Sequence, residues 1–410
     1  VLGFTLPAVA LAAVVAAGIG AALLYRGTRL RGMAKDPDSG ALWACLLPVV
    51  LITLYLLHTH VLHLVGGAYH TGQSCYGDMP MHLGFIKYIA QSGEFLPRYP
   101  LLGGTHRFGY PFLCETVSSV FVVLGADLRT AYLLPMLPAF LSVYGMFWQL
   151  ARRVTDSIGK ACLAFYLFFM GSGLGFAYFL GSAGSFAGIF TGFYTTPTNF
   201  VKKNIEWVNP IVDLLIPQRA TLFGWCVLLP AVYLLWRFCY EGERRLWPWL
   251  AAAGAGLACG YLDREDAGLF LLPFAAAATV IVAVVLAGKR RWKALAAQVI
   301  PYAMLGVGVL TFCTLNYTHY GVFALSDFSE GSFAAAMGAM MRVDTDSTAP
   351  YLSVPADTRE KIYDAVPELE PLAYWLEEDA QLQNDFRDPN LDDYRAGSFY
   401  WAIRRAAQFE

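Results

Sequence analysis

The chain has 410 residues, of which 57% are hydrophobic and 15% charged, with a formal net charge of −2 and a mean hydropathy of +0.48. Those values exclude an ordinary soluble protein of this length and point to an all-α polytopic membrane protein. They also argue against a nucleic-acid binder, because the basic residues are spread over short loops rather than gathered on one face. The charge is unevenly placed. From Tyr317 onward there are 17 acidic and 7 basic residues, against 14 acidic and 22 basic before it, which predicts a basic membrane body (residues 1–316) and an acidic C-terminal segment (317–410).

Uncharged runs of about 20 residues, the length a helix needs to cross a bilayer, recur along the body. Val1 to Tyr25 is read as a first span rather than a signal peptide, since no charged region precedes it. No Met opens the chain, so the N-terminus is expected to be trimmed or processed. Arg26, Arg29, Arg31 and Lys35 then mark a cytoplasmic loop, and residues 1–40 form an extra N-terminal unit. A second span, Ala41 to Leu64, leads to a large first outer loop, residues 66–129. Within it, Pro111 to Gly125 is apolar but too short to span and carries Glu115, which predicts an interfacial or re-entrant helix.

Thr130 to Leu150 is predicted to cross inward and stop at Arg152-Arg153. The run from Ala161, uncharged until Lys202, should cross outward in its first half and then form an outer loop or re-entrant turn ending at Ile216-Pro217-Gln218-Arg219. Further spans are expected at Ala220 to Trp236, Leu246 to Leu262, Ala267 to Ala287 and Ala297 to Asn316. The four inner loops so assigned hold 14 Lys or Arg against 8 in the outer loops before the tail, in keeping with the positive-inside rule. No internal repeat is visible, so the inverted symmetry of many transporters has no support. In the tail, Gly321 to Pro355 reads as loose. Asp357 opens a capped helix and Ser398 to Arg405 opens another with an aromatic face. The last helix is cut short, so the chain is expected to be a fragment.

The stretch Gly77-Asp78-Met79-Pro80-Met81-His82 holds the strongest candidate for chemistry. Pro80 suits the first turn of a helix, Asp78 can cap it, and the spacing of four puts Asp78 and His82 on one face. A carboxylate in an apolar outer loop can take a proton from a hydroxyl acceptor; the plain alternative is an ordinary N-cap. Arg219 offers a guanidinium suited to a phosphate, with an interfacial snorkelling anchor as the alternative. Asp263-Arg264-Glu265-Asp266, between two spans with almost no loop, reads either as a site or as a tight solvated turn. His58, His60 and His63 read as interfacial packing rather than a metal site, for want of a Cys or Glu partner. Cys75 and Cys114 share the first outer loop; they read as thiols, with a disulfide as the alternative in an oxidising compartment.

These features resemble the membrane-embedded GT-C glycosyltransferases, which use polyprenyl-phosphate-linked sugars. The resemblance is carried by Gly77-Asp78 with His82 in the first outer loop, the helix continuing into Glu94-Phe95-Leu96-Pro97, Gly109-Tyr110-Pro111 before a juxtamembrane helix, and the Arg152-Arg153 stop. It covers roughly residues 41–316, which would be the catalytic module. It implies a GT-C-like fold, and a catalytic role for Asp78 aided by His82. By location, it implies that Arg219 or Arg264 engages the donor phosphate. Glu94, His106, Arg107, Gln218, Asp263 and Glu265 would line the substrate pocket, with Trp207 and Tyr194 further guesses from location.

The chain departs from the family in its extra first span and in having Gly77 before a single Asp78 where many relatives have paired acidic residues. No metal or other cofactor is therefore expected by default, with Mg or Mn as the alternative that some branches use. The expected function is inverting transfer of one sugar from a polyprenyl-phosphate donor to a glycan, lipid or protein acceptor. The site would lie on the outer face of a bacterial cytoplasmic membrane. The alternative is a non-catalytic transporter or assembly subunit for lipid-linked glycans.

Overall fold

The structure is a computed structural model that describes residues 4–31, 38–72, 75, 79–94, 98, 112–171, 184–188, 199–200, 205–206, 209–239, 280, 283–297, 299–325 and 331–410. It is mostly helical, and the chain divides into two compact units, Val1–Ser326 and Asp327–Glu410. The expected division after residue 316 falls inside a helix, Val299–Tyr320.

Among the described residues, three helical stretches are long and apolar enough to cross a membrane: Leu6–Tyr25, Ser39–His60 and Leu128–Thr155. This makes the chain a membrane-associated protein. Helix α1 (Leu6–Arg31) is apolar on every side from Leu6 to Tyr25, and only 6% of that span is buried. A helix hydrophobic all round needs either a protein core or lipid around it, and among the described residues little packs on this one. The predicted spans at 246–262 and 267–287 lie outside the described residues, apart from residue 280 and 283–287.

Helix α2 (Ser39–His60) stops four residues short of the expected Leu64. The apolar run Val61–Val65 turns into a hairpin of β1 (His63–Val65) and β2 (Ala68–His70), paired Leu64 with Tyr69 and Val65 with Ala68. The reason is Gly66-Gly67. Both residues have positive φ, 59° and 84°, the backbone a two-residue hairpin turn demands.

The helices of the first unit pack around α6 (Met136–Thr155), which follows the short α5 (Leu128–Leu133) after a break at Leu134-Pro135. Helix α6 contacts α2, α7 (Ile158–Phe169) and α8 (Arg219–Cys239). Its apolar face buries Met136, Ala139, Phe140, Val143, Tyr144 and Trp148. Tyr144 stacks edge-on against Phe165 and Phe169 of α7, and its hydroxyl meets the Thr53 hydroxyl of α2 at 2.7 Å. Paired buried hydroxyls cost little, whereas either one alone would carry a desolvation penalty of about 1–3 kcal/mol. At the far end of α6, Arg152 Nε donates to Asp38 Oδ2 at 2.8 Å, tying the C-terminus of α6 to the start of α2.

Two further helices build the site. Helix α3 (Met79–Ser92) and α4 (Leu113–Val123) lie side by side. Ser119 Oγ of α4 reaches the Ile86 carbonyl of α3 at 3.0 Å as well as the Glu115 carbonyl of its own helix at 2.9 Å.

The second unit has its own core of Val354, Leu376, Leu382, Tyr394, Phe399, Ala402 and neighbours. It contains α9 (Ser332–Met340), α10 (Ala356–Ala365), α11 (Ala380–Phe386) and α12 (Ala396–Phe409). Helix α9 lies inside the stretch expected to be loose. Phe333, Met337 and Met340, at helical spacing, pack on the core there. Asp357 does not cap α10, whose N-cap is Pro355 without a side-chain bond. It accepts instead from the Thr345 hydroxyl at 2.8 Å and the Asp346 amide at 2.8 Å, so it fastens the preceding loop.

Candidate functional site

Helix α3 is amphipathic, and its buried face runs Met79, His82, Phe85, Ile86, Ile89. His82 therefore occupies a core position, only 2% exposed. A polar side chain so placed must find a partner. Its Nδ1 lies 2.8 Å from Oε1 of Glu115 on α4, and the other carboxylate oxygen accepts from the Cys114 thiol at 2.8 Å. Glu115 is fully buried. Burial pushes its carboxyl up, but the charge and hydrogen bond of His82, the Arg219 charge and the Cys114 thiol outweigh it, leaving it below the ordinary carboxylate range.

Glu115, Ser118 and Ser119 recur at helical spacing along α4, and all three are buried. Ser118 Oγ accepts from Arg219 Nη2 at 2.6 Å. Arg219 is the first residue of α8, reached through a π-turn, Pro210–Leu215. Asn209 anchors that turn, accepting from the Ile211 and Val212 amides and donating to the carbonyls of Phe169 and Gly171. The arginine side chain is fully buried, 0% exposed. Its guanidinium carbon lies 4.2 Å from the centre of the Tyr132 ring and 5.3 Å from that of Phe223.

That environment is unusual in what it omits. Among the described residues, Arg219 Nε and Nη1 are buried and have no hydrogen-bond partner, and the same holds for Tyr132 Oη, Gln218 Oε1 and Thr221 Oγ1. A buried guanidinium normally takes a carboxylate or several carbonyls. The N-terminus of α8 adds the positive end of its dipole at the same place. Beside the Glu115 carboxylate, the site thus gathers open N–H donors and a helix N-terminus around one planar cation, and the ligand those donors suit is an oxyanion.

The structure brings His82 and Arg219 to one buried cluster and adds Glu115, Ser118 and Tyr132. The reading of Arg219 as a snorkelling anchor is overturned: the guanidinium lies inside the protein rather than at its surface. Gln218 sits beside it, half-buried. Glu94 does not join the cluster; it is exposed and accepts from the Tyr88 hydroxyl at 3.2 Å. Asp78, His106, Arg107, Asp263, Arg264 and Glu265, with Tyr194 and Trp207, lie outside the described residues.

Glu115 is the residue that sequence reasoning passed over, although it noted a charge in that apolar segment. The usable signal was the combination of Glu115, Ser118 and Ser119 on one face of an otherwise apolar helix, since a charge there requires a partner. Cys75 and Cys114 are both buried and present as thiols. His58 and His63 pack ring against ring at 5.1 Å. Among the described residues no three His, Cys, Asp or Glu gather so as to hold a metal ion.

No protein-family model matches the chain, and no curated protein or solved structure gives a significant match.

Proposed function

We propose that the protein is a GT-C-like membrane glycosyltransferase that moves one sugar from a polyprenyl-phosphate donor to a hydroxyl acceptor on the outer face of a bacterial cytoplasmic membrane. The observation that supports this most is Arg219, a fully buried guanidinium with two nitrogens unpartnered among the described residues. Such a group in a membrane-associated protein suits a lipid phosphate, which would arrive from the bilayer.

In the reaction the acceptor oxygen attacks the anomeric carbon from the face opposite the phosphate. The bond from that carbon to the phosphate oxygen breaks, and its electron pair leaves with the lipid phosphate. Arg219 stabilises the charge that grows on the leaving oxygen. Asp78, four residues before His82, takes the acceptor proton, and His82, held at Nδ1 by Glu115, orients the groups beside it. The phosphate is already a fair leaving group, so positioning and charge compensation carry most of the barrier reduction.

The test is native mass spectrometry of the purified protein with polyprenyl phosphate and polyprenyl-phosphate-hexose, comparing wild type with Arg219→Ala and Asp78→Asn. The expected result is lipid-phosphate binding by wild type and Asp78→Asn and its loss in Arg219→Ala. Absence of binding by wild type removes the donor from the reading and turns attention to transport or scaffolding of lipid-linked glycans.

A further inference from the structure

Arg219 lacks a direct carboxylate partner in its hydrogen-bond set, yet it is not far from one. Ser118, which accepts from Arg219 Nη2 at 2.6 Å, stands three residues after Glu115 on α4. Residues so spaced lie on one helix face one turn apart. The Glu115 carboxylate is therefore about one helical turn from the guanidinium contact, and both groups are fully buried, so water does not screen them as it would at the surface. The carboxylate is also fixed, because His82 engages one oxygen and the Cys114 thiol the other, each at 2.8 Å. It cannot swing away when a ligand arrives.

We propose that Glu115 is a built-in counter-ion of the Arg219 anion site, sharing the guanidinium charge while the site is empty and opposing an incoming phosphate so that the lipid phosphate is released after transfer. The inference rests on reading Arg219 as the phosphate ligand and assigns a positioning residue to that same site. Its physical signature is a sign. A residue that merely holds the fold together weakens binding when replaced, whereas removing an opposing charge strengthens it.

The experiment titrates wild type, Glu115→Gln, Glu115→Met and Glu115→Asp with two probes by native mass spectrometry. One probe is polyprenyl monophosphate; the other is dodecyl phosphate, which offers the same head group on a short chain. Glutamine keeps hydrogen bonding to His82 and methionine does not, so either neutral variant that folds suffices. Neutralisation is expected to tighten phosphate binding roughly tenfold, while Glu115→Asp stays near wild type. Wild-type binding that is unchanged or weaker in the neutral variants overturns the counter-ion and leaves the donor site standing. Dodecyl phosphate bound through Arg219 without polyprenyl phosphate overturns the polyprenyl reading, and the same affinity ratio then decides the counter-ion. If neither probe binds, both fall.

Discussion

Among the described residues, each unit of this protein buries one arginine, and the two are solved in opposite ways. Arg359 in the C-terminal unit donates through Nε and Nη2 to both oxygens of Glu377 at 2.6 and 2.8 Å, and through Nη1 to Asp393 at 2.7 Å and the Val354 carbonyl at 2.9 Å. Arg387 and Tyr363 reinforce Glu377 from the side. Arg219 in the membrane unit has one serine hydroxyl and two aromatic rings. A saturated arginine is a cross-link. An unsaturated one is unstable by itself and has to be explained by something that arrives later, which is why the candidate site is placed at Arg219 and not in the tail.

The comparison breaks most sharply at Arg359. Arg359→Met leaves the buried Asp393 without its cation and Glu377 with Arg387 alone, a loss of about 3–5 kcal/mol for a broken buried pair. Hydrogen exchange of the full chain should show α10 and α12 losing protection while α2 and α6 keep theirs. Protection unchanged in α10 would mean the network is decorative. Arg219→Met is expected to cost far less. It removes two buried N–H groups that no described residue satisfies but also takes the guanidinium away from the Glu115 carboxylate, and the two effects oppose each other, so thermal stability in detergent should change by no more than about 1 kcal/mol. A drop as large as that at Arg359 would make Arg219 a structural residue.

The smallest effect concerns acid. Hydrogen bonds from the Asp346 amide and the Thr345 hydroxyl hold Asp357 below its ordinary value of 3.8, and the amide of Asn390 does the same for Asp388. A carboxyl lowered on folding contributes stability that is fully present above the unfolded value and is lost as pH falls through the folded one. The tail should therefore lose stability below about pH 4, and Asp357→Asn should flatten part of that slope in circular dichroism melts. An identical slope in the variant would rule out Asp357 as a contributor.

Much of this was legible in the residues, and for physical reasons. Long uncharged runs announce helices that lipid must cover, so α1, α2 and the stretch from α5 to α6 follow from composition and period. Arg219 stood out as a guanidinium at the mouth of a predicted span, just after Ile216-Pro217-Gln218. Its burial was not legible, because a guanidinium at a helix mouth reads equally as a surface anchor until the serine from α4 and the ring of Tyr132 are in place. Glu115 was hidden for a related reason: its partner His82 is 33 residues away, and no local pattern couples the two. The second span was read too long because Gly66-Gly67 ends an apolar run by turn geometry, which hydropathy does not register. In the tail, Asp357 looked like a cap since its sequence neighbours are those of a helix start, while its real partners lie 11 and 12 residues earlier.

The Tyr132 ring, 4.2 Å from the Arg219 guanidinium carbon, sets a rule of approach. An aromatic ring over a flat cation closes off that face, and a newcomer has to slide in along the rim of the plane. A sphere such as chloride gains a single contact there, while two oxygens on one phosphorus or carbon can meet two N–H groups at once. The ring therefore favours flat, two-oxygen anions over round ones at this cation, before their charge is weighed.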